Sequence, residues 1–521
     1  MAHIVYPPSR IVKTAYGEVR GRRLIYEGER QVDAFQEYPS PLHQLAIFDS
    51  KVDETKRNSE IPKNFNYLHF SGKRKPQPPA RWEGVKVTTE FAARSMQGPK
   101  NPQDYVNGIP SEDSLYLNVF TPSWDVPEGG FPVLVFIHGG AFAMGDASWK
   151  SKMFCGECGQ INLQVTRGVI FITIQYRLGY LGFLTTVEAL KWIQLNIGAF
   201  GGDTMNVTLM GKSAGAASVD LLHLSPHSTN LFHKAITMSG TAECRWALLA
   251  KLRLLPAEAF GVKMFQQEKE DNADFEVGPC LDGDLFPEPL DVLRARATAK
   301  PFITGVTKEE GLLMMVGRQS TPEGLEETLM DATRDCQEID AMKCELRGRF
   351  IGDTKQDDPA YMRAQAGMIS DAVFVAGTLE HCRRTVAIQK LPVCLYVFEH
   401  FTPSILGYLE GALPIQDTTH ACEIFYLFKK GAFGDPEINV TEKRVMNIFT
   451  SAFTNFAKFG NPNGSDDATS ALPVQWDSIT EENPALSYVF TSEEPKMCTD
   501  LAELLSSSIF ATNTSEVLNH E

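Results

Sequence analysis

An α/β fold, with a mostly parallel central sheet flanked by helices, is predicted for this chain of 521 residues by three features. The run Phe131-Pro132-Val133-Leu134-Val135-Phe136-Ile137 is apolar almost throughout, as expected of a parallel strand buried on both faces. A second strand-like run, Asn206-Val207-Thr208-Leu209-Met210, leads through a glycine-bounded turn into Ala216 to Leu222, which is apolar at helical spacing. Strand-like runs recur at Pro301 to Gly305 and at Val393 to Phe398.

The turn between the second strand and its helix reads Gly211-Lys212-Ser213-Ala214-Gly215. A sharp strand-to-helix turn lifts one serine hydroxyl above a sheet, and glycines two positions to either side avoid collisions with neighbouring backbone. Ser213 is therefore the first candidate nucleophile. In a chain with 40 glycines such a motif also arises as an ordinary glycine-rich turn, so its partners decide. Upstream, His138-Gly139-Gly140-Ala141-Phe142 follows the strand 131–137 and leaves backbone N–H groups bare. With the N–H of Ala214 these could hold an oxyanion. Downstream, an acid and then a histidine are required. Glu309 and Glu310 follow the strand-like run 301–305. His381, His400 and His420 remain after His223, His227 and His233 are set aside as too near the elbow. His381 lies beside Arg383 and Arg384 on an expected helix face, and spacing alone leaves His400 and His420 level.

Several segments then converge on one family. Ser111-Glu112-Asp113-Ser114-Leu115-Tyr116-Leu117-Asn118-Val119, Phe200-Gly201-Gly202-Asp203, Tyr176-Arg177-Leu178-Gly179, Met238-Ser239-Gly240 and Phe456-Ala457-Lys458-Phe459-Gly460-Asn461-Pro462 resemble type B carboxylesterases, the family that includes cholinesterases and related adhesion proteins. The resemblance implies an α/β-hydrolase fold over residues 1–521 as a single domain. It also implies a serine esterase acting through an acyl-enzyme on neutral carboxylic esters. His420-Ala421-Cys422-Glu423-Ile424-Phe425 and Gly305-Val306-Thr307-Lys308-Glu309-Glu310-Gly311 resemble the segments carrying the family's histidine and acid. The implied triad is Ser213, Glu310 and His420, and the implied oxyanion donors are the N–H groups of Gly140, Ala141 and Ala214. Many members have glycine where Ala141 stands. No aromatic residue occupies Ser95 to Pro102, where cholinesterases hold quaternary ammonium, so a general esterase is expected.

Composition is compatible with such an enzyme. A net charge of −16 argues against nucleic acid or an anionic membrane as partner. No run approaches the roughly 18 apolar residues of a membrane helix. The segment Met1 to Arg10 lacks the apolar core of a secretory leader, so a cytoplasmic location is expected. Cys155-Gly156-Glu157-Cys158 has no second pair nearby, and neither a metal nor another cofactor is expected. The family's first disulfide cannot form, because Ser114 stands where the resemblance implies cysteine and the expected partner region, Phe91 to Met96, holds none.

Four departures from the family stand out. Residues 37–70 form an atypical, highly charged insertion expected to be poorly ordered. Local deletions are read after Thr186 and after Trp246, the first expected to weaken support beneath the elbow. They favour an alternative, a catalytically impaired binding or adhesion relative. Finally, most members carry Glu or Gln where Lys212 stands. Either Lys212 opposes the charging of the histidine, so that Lys212→Glu improves turnover, or it points into solvent.

Overall fold

The computed structural model describes residues 6–25, 30–39, 78–97, 110–111, 113–148, 162–179, 185–247, 279, 283–333, 339–389, 391–465 and 472–499. Their strands are β1 (Pro8–Lys13), β2 (Glu18–Ile25), β3 (Gln31–Pro39), β4 (Val85–Val87), β5 (Tyr116–Pro122), β6 (Phe131–Ile137), β7 (Ile170–Ile174), β8 (Gly202–Lys212), β9 (Lys234–Met238), β10 (Phe302–Thr307), β11 (Val393–Phe398), β12 (Ser487–Phe490) and β13 (Lys496–Cys498). They join in one sheet of order β1-β2-β3-β5-β7-β6-β8-β9-β10-β11-β12-β13, with β4 beside β2. The seven strands from β7 to β12 pair in parallel. Antiparallel strands extend both edges.

The unbroken apolar character of β6 has its cause in two cores, one on each face. Val133, Val135 and Ile137 join a cluster with Leu190, Trp192, Leu209 and Leu221, beneath the helices Thr185–Asn196 and Ala214–Leu224. The intervening Leu134 and Phe136 join Phe171, Met210 and Phe449 beneath the helix Val440–Phe459. Side chains alternate faces along a strand, so a strand covered on both sides has no polar position to offer. The helix Val440–Phe459 is delimited at both ends. Asn439 Oδ1 accepts from Thr441 N at 2.7 Å and Glu442 N at 3.3 Å, and Gly460 closes it at φ 72°.

The connection read as shortened after Thr186 lies within the helix Thr185–Asn196, where Thr186, Val187, Ala189, Leu190, Trp192 and Ile193 are all buried. Residues 180–184, and residues 248–278 in the second shortened region, lie outside the described residues. So do Cys155, Cys158 and residues 40–70 of the atypical insertion, whereas 37–39 complete β3 against β5. Ser95 and Ser114 meet as a buried hydroxyl pair, Oγ to Oγ 3.0 Å.

Candidate active site

The residues singled out from the sequence follow the carboxyl ends of parallel strands, where open α/β sheets form their binding crevice. His138 to Ala141 leave β6, Ser213 leaves β8, Ser239 leaves β9 and Glu310 leaves β10. Ser213 sits at φ 57°, ψ −124°, a conformation L-residues avoid, directly before the helix Ala214–Leu224. Its N–H donates to Met238 O at 2.8 Å, and its carbonyl accepts from Ala216 N and Ala217 N. A Cβ at Gly211 would stand 2.1 Å from Gly215 O, and one at Gly215 would stand 2.1 Å from Ile137 O. The glycines of the motif thus let strand, turn and helix approach to backbone contact.

The loop after β6 packs on this elbow. A Cβ at Gly139 would lie 2.5 Å from Lys212 O and 3.1 Å from Ser213 Cβ. Gly140 at φ 121°, Ala141 at 52° and Phe142 at 56° turn the loop through three successive positive-φ residues. Ala141 therefore takes a conformation better suited to glycine, and pays for its Cβ in strain. Ala214 opens its helix, so its N–H has no carbonyl four residues back to bond.

Glu310 and His420 are brought together. His420 Nδ1 donates to Glu310 Oε2 at 2.5 Å, while Glu310 Oε1 accepts from Thr307 N at 2.7 Å and from Ser239 Oγ. Burial alone would raise the Glu310 carboxyl, but Lys212 first and His420 second outweigh it and hold the group low. His420 is lowered from its usual 6.5, chiefly by burial and then by Lys212, against the raising pull of Glu310 and Glu423. Its ring stacks on Phe374 with centroids 4.6 Å apart. Phe374 packs edge-on against Trp246 at 5.9 Å, and Trp246 lies 6.2 Å from Phe142, so an aromatic wall runs from the imidazole to the glycine loop. The Ser213 hydroxyl makes no hydrogen bond to His420 among the described residues. Such bonds are often loose until substrate binds.

The competing groups lie elsewhere. Glu309 accepts from Arg363 at 2.8 Å, and Arg363 also reaches Asp417 at 2.8 Å. With the backbone bridge between Glu309 and Thr419, this fastens the His420 segment to the turn after β10. His400 bonds Ser492 at 2.7 Å and faces Glu442. His381 and His223 flank the buried Asp220–Arg294 pair.

Lys212 is not in solvent. It is 1% exposed, and its ammonium donates to Glu423 Oε1 at 2.7 Å and to Ser239 Oγ. The expectation that Lys212→Glu improves turnover is corrected accordingly, because the change would bury a third carboxylate beside Glu310 and Glu423. Sequence reasoning gave Ser239 and Glu423 no role. Both stood inside quoted motifs, and the signal for them was polarity at positions otherwise surrounded by apolar residues.

Comparison with known proteins agrees with this arrangement of elements. Residues 73–260 and 247–503 match the family described as the carboxylesterase family. The chain is 32% identical over 471 residues to the esterase cest-33 of Caenorhabditis elegans, covering 80% of this chain and 82% of the relative. It is 30% identical over 449 residues to human cocaine esterase, covering 75% and 76%. It is 27% identical over 548 residues to mouse neuroligin-2, covering 87% of this chain and 60% of that one.

Proposed function

The chain belongs to the carboxylesterase family, and on that premise we propose that it is a serine hydrolase that cleaves neutral carboxylic esters through an acyl-enzyme. Ser213 Oγ attacks the ester carbonyl as His420 Nε2 takes its proton, and Glu310 stabilises the imidazolium through Nδ1–H. The backbone N–H groups of Gly140, Ala141 and Ala214 receive the charge that develops on the carbonyl oxygen. Collapse expels the alcohol with the proton from His420, and water then repeats the sequence to free the acid. The observation that carries this reading is the 2.5 Å bond from His420 to Glu310, at the carboxyl ends of the parallel strands where Ser213 also stands on a positive-φ turn. The aromatic wall of Phe142, Trp246 and Phe374 supports an apolar substituent on the ester, and the chain's net charge of −16 suits a substrate without negative charge.

A cytosolic setting is part of the proposal, supported by the free thiols of all the cysteines among the described residues, Cys244, Cys344, Cys382, Cys394, Cys422 and Cys498. The second reading, a binding relative without turnover, draws on the similarity to neuroligin-2 and on the unmade Ser213–His420 bond. Hydrolysis of p-nitrophenyl acetate separates the two. The proposal expects turnover that an organophosphate abolishes and that Ser213→Ala or His420→Ala lowers by roughly 10⁴-fold or more. Equal rates in wild type and both variants would leave only the binding reading.

A further inference from the structure

We infer that Lys212 is a positioning residue of the proposed hydrolytic site: anchored by Glu423 and joined through Ser239 to Glu310, its ammonium fixes the acid behind His420 and keeps that imidazole neutral and ready to accept a proton. The inference rests on the esterase reading for its catalytic meaning, and on geometry for its substance. Lys212 is one residue from the candidate nucleophile, yet its side chain turns beneath the elbow into a buried polar cluster. There its partners are Glu423 Oε1 at 2.7 Å and Ser239 Oγ. Ser239, itself at φ 53°, donates to Glu310 Oε1, and Glu310 Oε2 holds His420. Glu423 is fully buried; its Oε2 has no donor, and apart from Lys212 only Ser239 approaches Oε1, at 3.4 Å. Among the described residues, Lys212 is therefore the one cation paired with this carboxylate.

Charge accounting within the cluster gives the consequence. With His420 neutral, one ammonium faces two carboxylates; when His420 takes the serine proton, the cluster becomes neutral as a whole. Without Lys212, two buried carboxylates would act on the imidazole with no counter-ion, and both would favour its protonated form against the effect of burial. A ring protonated at rest cannot act as the base. Of the other charged groups near the ring, Lys308, Glu309, Arg363 and Asp417 pair among themselves at the turn after β10 and are unchanged in every variant compared below. Tyr396 on β11 is raised well above its usual value by burial and then by Glu423 and Glu310, and burial pushes the Cys422 thiol up to about 12. Both stay neutral across the working range. Phe374, on which the ring stacks, carries no charge.

The test uses two variants whose effects must have opposite signs. Glu423→Gln leaves the ammonium unopposed by that carboxylate and should move the acidic limb of kcat/KM to lower pH. The charge-balanced pair Lys212→Gln with Glu423→Gln removes the larger of the two influences on His420, that of Lys212, and should move the limb above the wild-type position. Lys212→Gln alone leaves Glu423 buried without its cation and is avoided for that reason. The same three backgrounds are made with Ser213→Ala, and the His420 imidazole titration is followed by NMR in protein labelled at histidine. This arm needs no activity, so absent esterase activity would sink the proposed function while leaving the present inference open to decision. The expected order of His420 titration is Glu423→Gln lowest, wild type next, and the double variant highest. One common titration in all three proteins would overturn the inference, leaving Lys212 a structural ion pair and nothing more.

Discussion

Glu310→Gln isolates the acid from its neighbour Glu309 and from the fold. The substitution keeps volume and shape, and the amide oxygen can still accept from Thr307 N and Ser239 Oγ, the two partners of Oε1. The other end then presents an N–H₂ group to His420 Nδ1, where a carboxylate had accepted at 2.5 Å. Two donors cannot face each other, so the imidazole must turn to the tautomer with its proton on Nε2. In that form it cannot take the proton of Ser213. Loss of the orienting acid in a serine triad is expected to lower kcat by roughly 10⁴-fold, or about 5 kcal/mol at about 1.4 kcal/mol per decade. Stability should change far less, on the order of 1–3 kcal/mol, because Lys212 keeps Glu423 as its counter-ion. Glu309→Gln is the control. It removes the charge opposite Arg363, whose side chain is 46% exposed, while an amide oxygen can still accept from it, and should cost about 1 kcal/mol at most with turnover within about threefold of wild type. Steady-state hydrolysis of p-nitrophenyl acetate and thermal unfolding on both variants measure these quantities. A mild Glu310→Gln beside an inactive Glu309→Gln would refute the assignment.

Two further outcomes follow from packing and charge. Gly215→Ala sets a methyl group 2.1 Å from Ile137 O, a backbone atom of β6 that cannot swing aside, so the variant should yield little soluble protein with wild-type unfolding; normal yield and an unchanged thermal midpoint would contradict the geometry of the elbow. Burial first lowers His138, His223, His233, His400 and His420 from 6.5, so the unfolded chain binds these protons before the folded one does. Stability should therefore be complete above about 6.5 and fall as pH drops below it, and the acidic limb of kcat/KM should lie below the ordinary histidine range. Stability that rises on acidification, or a limb above 6.5, would contradict the buried neutral imidazoles.

Much of this was readable because local physics and global fold agree. The apolar runs 131–137 and 393–398 coincide with β6 and β11 to the residue, since strands buried on both faces tolerate no polar position at which to fray. The elbow was readable because its two glycines answer to backbone contacts within the same strand–turn–helix unit and the adjacent strand. What lay hidden depends on partners far apart in sequence. Lys212 reaches Glu423, 211 residues away, and nothing local to Gly211-Lys212-Ser213 distinguishes a buried lysine from a solvated one. The balance between His400 and His420 is of the same kind. His400 follows the apolar strand β11 and His420 precedes the apolar helix Ile424–Phe428, and only the approach of the turn after β10 to residues 419 and 420 separates them. The antiparallel strands at the sheet edges were less evident, their alternation being short and interrupted by charge.

The account turns on Ser213 as the atom that receives the acyl group. Rapid acid quench of the enzyme during turnover of p-nitrophenyl acetate, followed by peptide mass spectrometry, reads this directly. The result expected is a stoichiometric burst of p-nitrophenol with one acetyl group on the peptide that contains Ser213, both absent in Ser213→Ala. Turnover without a burst, or acetyl found on another residue while Ser213→Ala remains active, would contradict it.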